Sequence, residues 1–156
     1  MKSVLIGLLI LASATAGAQV IEYKVEGDGI PESLTGIPGN ITRGRTLLLA
    51  RNPAHCLDCH TITRDKELAA ASEKSSKRGP ALDGVGDALT PAQLRLSVVD
   101  YAQVVPKAEM PSFHKRQSGL FIGKQDREKP VLNAQQIEDV VAYLRSLRTA
   151  RNGPGD

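Results

Sequence analysis

The sequence predicts an all-α fold with an irregular N-terminal arm, and three observations carry that expectation. Segments opening at Thr90 and Asn133 begin with residues that cap helices, and each has a glutamine three positions on. Ile137, Val140, Val141, Leu144 and Leu147 recur at three- and four-residue steps. No segment shows the strict apolar–polar alternation of a half-buried strand.

Taken in order, residues 1–18 read as a signal peptide. Lys2 gives the positive start, residues 4–11 the short apolar run, and Ala16-Gly17-Ala18 the small-residue cleavage site. The run is too short for a permanent membrane span, which needs about 20 apolar residues. No other stretch is long enough, so the exported chain is expected to be soluble, in the periplasm and without a membrane partner. Residues 19–39 contain Pro31, Pro38 and several glycines with no helical period, and form the arm. The domain proper is residues 40–150. Asn40 caps a helix over about 41–50, with Ile41, Leu47 and Leu48 on one face, ended by Asn52-Pro53.

Residues 61–77 are polar and compatible with helix in parts, but with no apolar face they are expected to be a solvated loop or insertion. Residues 79–86 hold three glycines and one proline and make a tight loop. Thr90-Pro91-Ala92-Gln93 then starts a helix to about 99: Thr90 caps, Pro91 sits at the first position, Gln93 reaches back. Residues 101–129 are mostly loop and include Met110-Pro111. The last helix runs to about 148, and 151–156 are a frayed polar tail.

The full chain of 156 residues has 20 basic and 17 acidic side chains, and loss of the leader removes one of the bases. So mild and evenly spread a charge argues against a nucleic-acid partner. Aromatics are few, with three Tyr, two Phe and no Trp. Aromatic rings usually supply much of a small core's buried area, so another large apolar group is expected to fill the interior.

The two cysteines of this exported chain stand three positions apart, in Cys56-Leu57-Asp58-Cys59-His60. A structural disulfide closing so short a loop would stabilise little. Zinc would need further ligands, for which no second cysteine pair exists, and a thioredoxin-like motif expects strands around it. The spacing is instead the attachment signature of c-type haem. Two thiols add across the vinyl groups of one porphyrin, and His60 follows in position to give iron a ring nitrogen. The cofactor is thus one covalently attached haem c, on Cys56 and Cys59.

Iron takes its second axial ligand from a short set that includes Met and His. Of two methionines Met1 leaves with the leader, so Met110 is the candidate, on a loop stiffened by Pro111. His114 competes, although its neighbours Lys115 and Arg116 suit a surface histidine better. His55 reads as a haem-edge or solvent-facing residue.

The order helix, CxxCH, Gly-Pro loop, Met-Pro loop, terminal helix resembles the class I cytochrome c fold. That resemblance implies a close crossing of first and last helices at Gly44, against Tyr143 and Leu144. It also implies that the Pro80 carbonyl accepts the proximal His60 ring proton. A finer resemblance lies in Pro31-Glu-Ser-Leu-Thr-Gly, Arg43-Gly-Arg and Arg78-Gly-Pro-Ala-Leu-Asp-Gly-Val-Gly. It continues in Gln93-Leu-Arg-Leu, Val99-Asp100, Met110-Pro-Ser-Phe-His and Ile137-Glu-Asp-Val-Val-Ala-Tyr-Leu. These segments are similar to the SoxX subunit family of the sulfur-oxidising SoxXA cytochromes. That family implies a heterodimer with a SoxA-like c-type cytochrome, and indirect dealings with a sulfur-carrier protein and a downstream electron acceptor.

Three functions are compatible with the motif: an electron-accepting subunit of a thiosulfate-oxidising complex, a free-standing electron shuttle, and a ligand-binding haem sensor. Met110 closes the iron and weakens the third. The arm favours the first, because a subunit could lay it over a partner, with Ile30 and Pro31 near its end. Deleting 19–36 is then expected to weaken a complex more than it perturbs the haem spectrum. Joining two sulfurs oxidatively releases two electrons, whereas one haem iron accepts one per cycle. With both cysteines on the porphyrin no thiol remains as nucleophile. The chain is therefore expected to be an electron-transfer subunit with no catalytic residue of its own.

Overall fold

The structure, a computed structural model, describes residues 20–50, 53–116 and 129–149. The leader 1–18, the tail 151–156 and most of the loop after Arg116 lie outside the described residues. Five α-helices are described: α1 Ile41–Leu49, α2 Lys66–Ala71, α3 Val85–Ala88, α4 Pro91–Asp100 and α5 Ala134–Ser146. A 3-10 turn, Cys56–Asp58, follows α1.

The caps expected from sequence form. Asn40 accepts from the Arg43 amide at the start of α1. Reciprocal capping boxes open α4, through Thr90 and Gln93, and α5, through Asn133 and Gln136. The apolar repeat of α5 is buried at Ile137, Val140, Val141 and Leu144. In α1 only Leu48 of the expected face is fully buried; Ile41, at the first turn, is 52% exposed.

α1 and α5 make the main helix crossing, and Gly44 permits it. A Cβ there would lie 2.0 Å from the Asp139 carbonyl oxygen and 2.8 Å from Tyr143 Cβ. Of the arginines beside this glycine, Arg43 ties α1 to α5 and Arg45 ties it to the α2 segment. Arg43 holds Asp139 through Nε and Nη2, at 2.7 and 2.9 Å, and Arg45 reaches Asp65 and Glu67. Bidentate guanidinium–carboxylate pairs set orientation as well as proximity.

α4 is buried nearly all round, which is why it shows no clean apolar stripe. Its Arg95 forms a buried bidentate ion pair with Glu138 of α5, donating two hydrogen bonds at 2.8 and 3.0 Å.

Two expectations are corrected. Residues 61–77 are not simply solvated: they contain α2, capped by Asp65, whose Leu68 is fully buried. A helix of six residues turns one large side chain inward, too few to make a period. The arm lacks helix or strand, having only an isolated bridge between Glu26 and Gly29, but its inner half belongs to the core. Ile30 is 1% exposed, its carbonyl accepts from Arg95, and the Leu34 amide donates to Glu138 at 2.8 Å. Ile30 is thus not available to grip a partner, and deleting 19–36 would remove part of the interior.

Candidate functional site

His55 adopts a left-handed backbone, φ 52°, and turns the chain sharply into the Cys motif. The His60 amide then donates to the Cys56 carbonyl at 3.0 Å, closing residues 56–60 into one tight turn. Cys56, Cys59 and His60 consequently line one cavity of about 580 Å³. The two cysteines are not bonded to each other, and burial pushes the Cys56 thiol up to about 11.

The Gly-Pro loop lies against this turn. The Gly79 amide donates to the Cys59 carbonyl at 3.1 Å, and the Leu82 amide to Thr61 at 2.9 Å. A Cβ on Gly79 would come within 2.4 Å of the His60 ring, so no side chain fits there. His60 Nδ1 stands 2.8 Å from the Pro80 carbonyl oxygen. A carbonyl only accepts, so Nδ1 carries the proton and Nε2 keeps its lone pair for a metal.

Met110 lines the same cavity from the later loop, with Pro111 and Phe113 beside it. Leu48, Leu82, Leu94, Val98, Val140 and Leu144 supply much of the apolar wall. The volume falls within the range of about 300–1,000 Å³ usual for sites that enclose a small molecule. Among the described residues no three His, Cys, Asp or Glu are grouped to hold a bare metal ion. One imidazole and one thioether suit an iron whose other positions a macrocycle fills. The donor set, the reduced thiols and the apolar walls all fit a haem.

The other histidines are sorted by their surroundings. His55 is exposed, with Nδ1 3.2 Å from Asp58. His114 is fully buried, not the surface residue its charged neighbours suggest. Its Nδ1 donates to the Leu132 carbonyl at 2.9 Å and its Nε2 accepts from the Ile21 amide at 3.0 Å. With both ring nitrogens engaged, it holds the arm and the stretch before α5 to the Met loop. Sequence also gave no sign of the exposed Arg78–Glu109 pair, 3.1 Å apart, which joins the Gly-Pro and Met loops at the cavity rim.

The family model for cytochrome c matches residues 41–148, more than half of the chain. The chain belongs to the cytochrome c family. Membership implies a covalently bound haem c and a role in electron transfer. This cytochrome is also similar to a chain in the crystal structure of SoxXA from P. pantotrophus. The two share 34% sequence identity with a TM-score of 0.71, over 82% of this chain and 96% of that one. That similarity bears out the resemblance to the SoxX family read from the motifs. Among curated proteins none matches. The five helices are those of a cytochrome c domain, and among the described residues none is long and apolar enough to cross a membrane.

Proposed function

We propose that this cytochrome is the mono-haem, electron-accepting subunit of a SoxXA-type complex, which joins thiosulfate oxidatively to a cysteine of a carrier protein. The observation that carries this reading is the similarity to a SoxXA chain across nearly all of that chain's length. Residues 1–18 act as the signal peptide that sends residues 40–150, the cytochrome domain, to the periplasm behind the arm.

Cys56 and Cys59 would hold the haem through thioether bonds, and His60 and Met110 would supply the nitrogen and sulfur ligands of its iron. When bound, the haem supplies an iron that gains and loses one electron. The chain's own residues set the conditions. Pro80 fixes the His60 tautomer and strengthens it as a donor, while Gly79 lets the loop lie flat on the ring. The thioether of Met110 favours the reduced state. With its only two cysteines committed, the chain has no thiol to act as nucleophile. Thiosulfate chemistry therefore belongs to a SoxA-like partner, which passes electrons to this subunit and through it to a downstream acceptor.

The test mixes purified cytochrome, carrier protein, thiosulfate and an excess of an oxidised one-electron acceptor, with and without the second cytochrome. Turnover only when both are present is the expected result. Steady turnover without the second cytochrome would overturn the reading, and failure to bind such a partner at all would favour a free-standing shuttle.

A further inference from the structure

The loop bearing Met110 is held at its base by one buried carboxylate. Asp100, the last residue of α4, is 1% exposed. One of its oxygens accepts from the Ser112 hydroxyl. The other accepts from Gln103 Nε2 at 2.8 Å and pairs with Lys115 Nζ at 2.6 Å. Ser112 follows Met110-Pro111 directly and Lys115 comes three residues later, so the carboxylate grips the loop just after the methionine.

Backbone contacts in the same place are weaker. The Phe113 and His114 amides reach the Val98 and Val99 carbonyls only at 3.4 Å, the long end of the hydrogen-bond range. Bonds to an ionised, buried acceptor are shorter and about twice as strong as neutral ones. The cluster on Asp100 therefore fixes the part of the loop next to Met110, while the Leu132 amide, donating to the Phe113 carbonyl at 2.8 Å, and the His114 ring hold its far end. Burial alone would raise the Asp100 pKa; bonds from Lys115, Ser112 and Gln103 outweigh it and hold the carboxyl below its usual range. The group is thus ionised as it grips the loop at neutral pH.

We propose that Asp100 is the positioning residue for Met110: through Ser112 and Lys115 it holds the thioether over the cavity and keeps foreign ligands off that face. The inference rests on reading Met110 as an iron ligand. It accounts for a buried acid whose partners all lie in or beside the distal loop.

The test uses the haem-loaded protein and added imidazole, which competes with the thioether. Wild type is expected to show the weak sulfur-to-iron charge-transfer band of ferric haem and to bind imidazole poorly. Asp100→Ala is expected to weaken the band and tighten imidazole binding about tenfold, equivalent to about 1.4 kcal/mol lost from the thioether bond. Ser112→Ala, which leaves Asp100 paired with Lys115, is expected to move both readouts the same way by less. It serves if Asp100→Ala fails to fold. Leu96→Ala, a cavity on α4 away from the haem pocket, is the control for general loosening and is expected to leave imidazole affinity unchanged. Wild-type band and affinity in the variants would overturn the proposal, as would an equal effect from Leu96→Ala. Absence of the band from wild type would instead sink the Met110 reading, and this inference with it.

Discussion

At the scale of single residues, the ligand set turns on two side chains of unequal certainty in the sequence. His60 follows directly from the Cys spacing, and its partner Pro80 lies 2.8 Å from the ring. Met110 is the candidate because the sequence has only one other methionine, Met1, which falls in the expected leader. We predict that Met110→Leu abolishes the sulfur-to-iron charge-transfer band and opens the ferric protein to added ligands. Persistence of the band in that variant would show that another atom holds the iron. His114 is a poor substitute, because freeing either nitrogen would leave the Leu132 carbonyl or the Ile21 amide without its partner in the interior. Here the sequence misled: charged neighbours at Lys115 and Arg116 say nothing about which way a loop turns its histidine. Asp100 was equally hidden, since its bonds join positions 12 and 15 residues apart across a loop with no regular period.

At the scale of elements, helix limits were legible because caps are local. Thr90–Gln93 and Asn133–Gln136 each declare a start within four residues. Tertiary ties were not legible. Arg95 and Glu138 lie 43 residues apart, yet they join α4 to α5 and trap the arm's backbone between them. Removing one member leaves a buried charge unpaired, so Glu138→Ala is expected to cost about 3–5 kcal/mol, read by urea unfolding of the haem-loaded protein. The double variant Arg95→Met, Glu138→Leu is expected to recover only part of that loss, because the Ile30 carbonyl and the Leu34 amide stay without their side-chain partners. Equal losses from the single and the double change would contradict this account of the pair. A second tie, between α1 and α2, carries a pH signature. The hydrogen bond from Arg45 holds the Asp65 carboxyl down to about 2, from an ordinary value of 3.8. A depressed folded pKa stabilises the fold above the unfolded value and ceases to do so as pH falls toward the folded one. Asp65→Asn is therefore expected to be less stable than wild type above pH 4, with the gap closing as pH falls from about 4 toward 2. A gap that stays constant through that window would assign the stabilisation to helix capping alone.

At the scale of the whole molecule, the scarcity of aromatics and the cavity are one fact seen twice. Three Tyr, two Phe and no Trp leave an interior of about 580 Å³ walled by aliphatic side chains, and a porphyrin completes the core. The arm shows the limit of reading function from an irregular segment. Its proline and glycine content foretold the lack of helix and strand, but not that Arg95 and Glu138 would take its backbone bonds and draw Ile30 into the core. Ile30 offers no grip on a partner, while Pro31 and Ile37 of the arm stay exposed, and the subunit reading rests on the kinship with SoxXA rather than on the arm. Beneath both the subunit and the shuttle readings lies one claim, that a single haem is bonded to the chain through Cys56 and Cys59. The direct measurement is the intact mass of the exported protein under denaturing conditions, followed by the mass of its proteolytic fragments. The account predicts the mature chain plus one haem, with the whole increment on the fragment spanning Cys56 to His60. A bare polypeptide mass, or colour that acid-acetone extracts from the intact chain, would contradict it.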